Sequence, residues 1–189
     1  MTARSFLARH GWLDLQEFKA RQKNYSDLPQ RRLNYPQAPL QVTPHEQKHN
    51  LLLIVLKGLR QDMVNNVNMP NLQRFAEQHQ RFTNHIAGDN ETETSLFSLF
   101  YGLPAQYAED AQADKRPPLL IDEMQRQEYR IKAFATQGLD LPIYREAIFS
   151  GIRHKQGKNR VQSDAQTLES WMRWQQARPD GQPWFAYIA

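Results

Sequence analysis

The chain has 189 residues, with 40% apolar and 11% aromatic side chains, no cysteine and a formal net charge of +4. That length and composition fit a soluble core-forming domain and exclude a disordered chain, a disulfide scaffold and thiol chemistry. No run of 18 apolar residues occurs, and residues 1–23 are charged throughout, so neither a membrane-spanning helix nor a secretory leader is expected.

The amino-terminal third reads as an arm. Thr2 is placed to cap a short helix over 2–10 that Gly11 ends, and Leu13 to Lys23 reads as a second helix. Residues 24–50 are polar and hold Pro29, Pro36, Pro39 and Pro44, which predicts an extended surface segment. Residues 1–60 carry ten Lys/Arg against four Asp/Glu, while 61–189 carry fourteen against sixteen, so all the excess positive charge lies in front. Such an arm suits an anionic partner, and equally a solvated surface.

From residue 51 the pattern alternates between strand and helix. Leu51–Leu56 is an unbroken apolar run that reads as a strand reaching Lys57, buried on both faces as at the centre of a parallel sheet. Pro70 opens a helix through His79, and Arg81–Ala87 reads as a strand followed by the loop Gly88-Asp89-Asn90. Glu91–Tyr101 reads as an amphipathic helix stopped by Gly102, and 103–118 as a loop. Leu119–Gln127 reads as a helix, Arg130–Ala135 as a strand and Pro142–Phe149 as a helix. After a basic loop over 151–160, Ser163 caps a helix through Ala177, and Trp184–Ala189 is a strand. This order specifies an α/β fold with a parallel sheet and crossover helices. The chain stops inside an apolar strand, the mark expected of a fragment, and an uncovered edge at Trp184–Ala189 predicts self-association.

The chemistry is expected beyond the carboxyl ends of the strands. Lys57 stands there, where a metal-dependent hydrolase needs a carboxylate. Two readings are open: an ammonium that replaces the metal and pairs with Asp89, Glu91 or Glu93, or a side chain that snorkels into water. Thr92, at the start of a helix, is the candidate nucleophile, since the helix dipole and free N–H groups favour an alkoxide and an anionic substrate. Thr92 or Thr94 acting only as a helix cap is the alternative. His45-Glu46-Gln47-Lys48-His49 fits the H-E-x-x-H zinc pattern, but Pro44 before it and a strand two residues after leave room for one helical turn at most. The basic loop Arg153–Arg160 lacks interleaved aromatics, so nucleic acid is not an expected partner. Trp171 and Trp174 are expected to pack rather than to bind.

These residues carry a resemblance. MTARSFLARHGWLD, NLLLIVLKGLR, MPNLQRFAEQH with RFTNH, LFSLFYGLP and QSDAQT…WFAYIA together resemble the periplasmic sulfatase-like domain of the YejM/PbgA inner-membrane protein family, in the alkaline phosphatase superfamily. The resemblance implies an α/β/α sandwich around a parallel sheet, truncated after its first several strands and preceded in the family by five transmembrane helices. It implies a basic juxtamembrane arm and linker over 1–50 and the amino-terminal part of a sulfatase-like domain over 51–189. Lys57 matches the family's first-strand aspartate, a metal ligand in active members, and departs from it; Thr92 matches a nucleophile position. Thr2, Ala3 and Arg4 match a stretch similar to a lipid A phosphate-binding motif, with Ser5 where a second basic residue is expected. The implied role is regulation of envelope lipid at the periplasmic face of the bacterial inner membrane. The implied partners are an anionic lipid such as lipid A or cardiolipin and an inner-membrane regulatory protein. No cofactor is implied. A divalent metal enters only under the alternative reading, a sulfuric-ester or phosphoryl-group hydrolase or transferase with Thr92 as nucleophile.

Overall fold

The computed structural model describes residues 14, 16, 33–43, 47–152, 161–177, 179 and 181–189. The chain forms two compact units, Met1–Arg32 and Leu33–Ala189. The helices expected over 2–10 and 13–23, the residues Thr2, Ala3, Arg4, His45 and Glu46, and the basic loop 153–160 lie outside the described residues, apart from Asp14 and Gln16.

In the second unit, β1 (Leu51–Ile54), β2 (Arg130–Phe134) and β3 (Trp184–Ile188) form a parallel sheet in the order β1-β3-β2. The helices are α1 (Pro70–Gln78), α2 (Thr92–Tyr101), α3 (Ala108–Ala113), α4 (Leu119–Arg126) and α5 (Asp164–Gln176). The period-2 alternation of β3 explains the layering. Phe185 and Tyr187 enter one core with Leu96, Phe97, Phe100 and Tyr101 of α2. Trp184 and Ala186 enter a second core, with Phe134 and with Trp171 and Trp174 of α5. The sheet is therefore covered on both faces at β2 and β3, as an α/β/α fold requires, and the two tryptophans of α5 pack as expected. Ser163 starts α5 through a capping box: its Oγ accepts from the Gln166 N–H at 3.2 Å, and the Gln166 side chain accepts from the Ser163 N–H at 3.0 Å. Such a cap contributes ~1 kcal/mol.

Five expectations change. The stretch 103–118, expected to be a loop, holds a 3-10 turn at Ala105–Tyr107 and the helix α3, whose Ala108 and Ala111 are buried in the core. The apolar run at 51–56 is an outer strand, not a central one. Leu53 and Val55 pack on the α2 side, but α5 packs mainly over β2 and β3, so Leu52 and Ile54 on the other face stay exposed, Ile54 by 55%. An unbroken apolar run records which faces await cover, not which strands stand beside it. The central strand is β3, paired on both sides, so the unpaired edges among the described residues belong to β1 and β2 rather than to Trp184–Ala189. Arg81–Ala87 forms no strand: it pairs with no neighbour among the described residues, and Phe82 and Ile86 are 74% and 87% exposed. The helix expected at Pro142–Phe149 is one wide π turn, Ile143–Ile148, closed by the Phe149 N–H on the Tyr144 carbonyl at 2.9 Å. Its larger ring seats Ile143, Tyr144, Ala147 and Ile148 together in the core.

Candidate functional site at the carboxyl edge of the sheet

All three strands end at one edge, and a cavity of about 620 Å³ opens there between β1 and α5. It exists because α5 leaves β1 uncovered. Its walls are mostly apolar, among them Ile54, Leu56, Leu59, Leu168 and Ile188, with Lys57, Asp164 and Thr167 as polar lining. Lys57 lies in the turn just past β1, where Gly58 takes φ +73°, a left-handed conformation that glycine adopts without Cβ strain. Lys57 is exposed, and among the described residues it forms no ion pair.

Thr136 organises the far wall. Its N–H donates to the Ala189 carbonyl at 2.8 Å, its carbonyl accepts from Gln162 N–H at 2.9 Å, and its hydroxyl donates to Asp164 Oδ1 at 3.0 Å. Asp164 opens α5, so this contact locks the helix start to the end of β2. The Thr167 hydroxyl, one turn on, is buried and has no hydrogen-bond partner among the described residues.

Thr92 is the first residue of α2 and is exposed. The cap position belongs to Glu91, which makes no side-chain capping bond, so Thr92 does not act as the cap. The loop before it is folded onto the helix. Ser95 Oγ donates to the Asp89 carbonyl at 2.6 Å, Ser95 N–H to the Glu91 carbonyl at 3.0 Å, and the Asp89 carboxylate accepts from Asn90 N–H at 2.6 Å. The neighbouring Thr94 hydroxyl, and then the Asn90 N–H, hold the Asp89 carboxyl below its ordinary range. Gly88 approaches so closely that a Cβ there would lie 2.3 Å from Ser98 Oγ. Asp89, Glu91 and Glu93 form no ion pair with Lys57, and the cavity that Lys57 lines includes no residue of 88–95.

The lining of this cavity offers few ligands for a divalent metal. Among the described residues no three His, Cys, Asp or Glu side chains come together. Among the described residues Asp164 is the sole carboxylate lining the cavity, one of its oxygens is taken by Thr136, and an ammonium is not a ligand.

Residues 49–189 match the family model described as "Sulfatase". The chain belongs to the sulfatase family. This sulfatase-family chain also matches, over residues 1–42, a model described as "Domain of unknown function (DUF3413)". It is 34% identical over 191 residues to "Inner membrane protein YejM" of Salmonella typhimurium, and equally to that of Salmonella typhi. It is 32% identical over 188 residues to an uncharacterized protein of Haemophilus influenzae. Each alignment takes in 100% of the chain and 32% of the relative, so the sulfatase-family chain spans about a third of the curated relatives it matches. The resemblance to a YejM-like sulfatase domain read from the sequence is thereby supported along the whole chain. Among the described residues no helix is long and apolar enough to cross a membrane.

Sequence reasoning singled out Lys57 and Thr92 and gave no place to the Thr136–Asp164 contact or to Gly88. Thr136 had a usable signal, since it directly follows the strand at Arg130–Ala135. Asp164 lies 28 residues further on, and no local pattern links the two.

Proposed function

We propose that this chain is a non-catalytic sulfatase-like module of an inner-membrane envelope protein, acting as a scaffold for a lipid-responsive arm. The observation that carries this reading is Lys57: an exposed ammonium stands just past β1, on a cavity whose lining offers one carboxylate, where the family's hydrolases are expected to place an aspartate. An ammonium there repels a divalent cation and supplies no Lewis acid, so Thr92 lacks the activation a threonine hydroxyl needs. In this reading Lys57 fills a vestigial metal site by charge, without an ion pair to the 89–93 loop.

The arm supplies the second half of the proposal. Residues 1–32 carry seven Lys/Arg against three Asp/Glu, Arg4 with Thr2 and Ala3 among them. At an anionic leaflet each such basic residue contributes on the order of 1 kcal/mol. The ligand is an anionic lipid of the lipid A or cardiolipin class at the periplasmic face, and the output passes to an inner-membrane regulatory protein.

One observation favours the competing reading, a sulfuric-ester or phosphoryl-group hydrolase or transferase: the Thr92 hydroxyl is exposed at the positive end of the ten-residue helix α2. Turnover of p-nitrophenyl sulfate and p-nitrophenyl phosphate by the full-length protein separates the two. The scaffold reading expects wild type and Thr92→Ala to give the same background rate. Turnover that disappears with Thr92→Ala establishes the enzyme.

A further inference from the structure

The two family matches and the folded units divide the chain at different places. The DUF3413 match ends at residue 42 and the Sulfatase match begins at 49, yet the compact unit holding the sheet begins at Leu33. Residues 33–42 therefore belong by sequence to one region and by contact to the other.

A few specific contacts cause this. The Leu33 N–H donates to Asp114 Oδ2 at 2.8 Å, just past α3, and the Tyr35 N–H donates to the Leu33 carbonyl at 2.8 Å, closing a tight turn. The Tyr35 ring lies against Tyr101, the last residue of α2, with centroids 5.6 Å apart and planes at 45°. The Tyr35 hydroxyl donates to the Tyr101 carbonyl at 3.1 Å. That carbonyl is one of the last four of α2, which have no partner inside the helix and need an outside donor.

The receiving surface is itself packed and hydrogen-bonded. The Tyr101 ring stacks on Phe97 with centroids 4.4 Å apart, and its hydroxyl donates to the Arg116 carbonyl. Leu33 and Tyr35 both pack against the main core. Beyond Pro36 the segment is mostly exposed through Thr43, and it is pinned again at the amino edge of the sheet by Lys48 Nζ on the Gln127 carbonyl at 2.8 Å.

We propose that the carboxyl end of the DUF3413 region is an intramolecular docking segment, with the surface formed by the end of α2 and the α3 end as its receptor and Tyr35 as its anchor. The docked segment sits at the carboxyl end of α2, at the far end of a ten-residue helix from Thr92, a length of roughly 15 Å. The surface uses side-chain ring stacking and a helix-end carbonyl, so it selects an aromatic donor rather than a charged group.

Amide hydrogen exchange of the full chain, read residue by residue, tests the proposal with Tyr35→Phe and Asp114→Ala beside wild type. In wild type the Leu33 and Tyr35 amides are expected to be protected. Tyr35→Phe is expected to speed both by about tenfold or more, the scale set by leaving a helix-end carbonyl unpaired, while β3 amides stay at their wild-type rates. Asp114→Ala is expected to speed Leu33 most. Wild-type Leu33 and Tyr35 amides that exchange at unprotected rates overturn the proposal without any variant. A Tyr35→Phe chain in which residues 33–36 keep wild-type protection also overturns it, as does one in which β3 loses protection in parallel, since Tyr35 is then a general core residue.

Discussion

Gly88→Ala probes the loop that presents Thr92. An alanine Cβ at this position would lie 2.3 Å from Ser98 Oγ and 2.5 Å from Ser98 Cβ. The hydroxyl can rotate away, but the Ser98 Cβ is fixed to α2, so the loop must lift. Two terms oppose each other. Gly88 does not hold a left-handed conformation, so alanine is allowed by the backbone and stiffens the unfolded chain, a gain of about 0.4–1 kcal/mol. Forcing a methyl into occupied space costs about 1–3 kcal/mol. The steric term wins, with a net loss of about 1–2 kcal/mol, or a fall in Tm of roughly 2–8 °C for a domain of this size. Chemical denaturation of Gly88→Ala, Ser98→Gly and the double variant measures it. Ser98→Gly removes both close atoms, so the double variant should be more stable than the sum of the singles by about 1 kcal/mol or more. Strict additivity, or a Gly88→Ala chain as stable as wild type, means that Gly88 does not approach α2 in this way.

The buried phenols give a second cycle: Tyr144 and Tyr187 share a hydroxyl contact of 2.9 Å in the core, and burial raises both above the ordinary tyrosine range. Each single change to Phe should cost about 1–2 kcal/mol by equilibrium denaturation, and the double should cost less than their sum, because no hydroxyl is then left alone. Asp122 supplies a pH test. Burial raises its carboxyl pKa, with Arg116 partly opposing. A raised folded-state value means that the contribution is fully present below the unfolded pKa of 3.8 and is lost as pH rises through the folded value. Asp122→Asn, which stays neutral, should therefore gain up to about 1 kcal/mol over wild type at pH 7, discounted for partial exposure, and nothing at pH 3. A gain equal at both pH values contradicts it.

Local rules made much of the fold legible. The Ser163 cap, the Gly102 stop and the WFAYIA strand are short-range signals, and each appears where those residues put it. What was lost is what depends on partners distant in sequence. LLLIVL names a strand but not its place in the sheet, which was set by β3 arriving more than 130 residues later to pair with it. RFTNHIA has strand composition but no neighbour, and composition alone cannot supply backbone hydrogen bonds. The site shows the same limit. Lys57 and Thr92 were visible because each directly abuts an element end. Their arrangement was not: Asp89 bonds within its own loop rather than to Lys57. Tyr35 gave no signal, lying among prolines in a stretch that reads as linker.

Divalent metal content of the full-length protein, after equilibration with zinc, calcium and manganese and removal of free ion, is the most direct test of an ammonium-filled edge. Wild type should bind well below one equivalent. One tightly held equivalent in wild type, lost on Thr92→Ala, would contradict it and place an active metal centre beside the threonine.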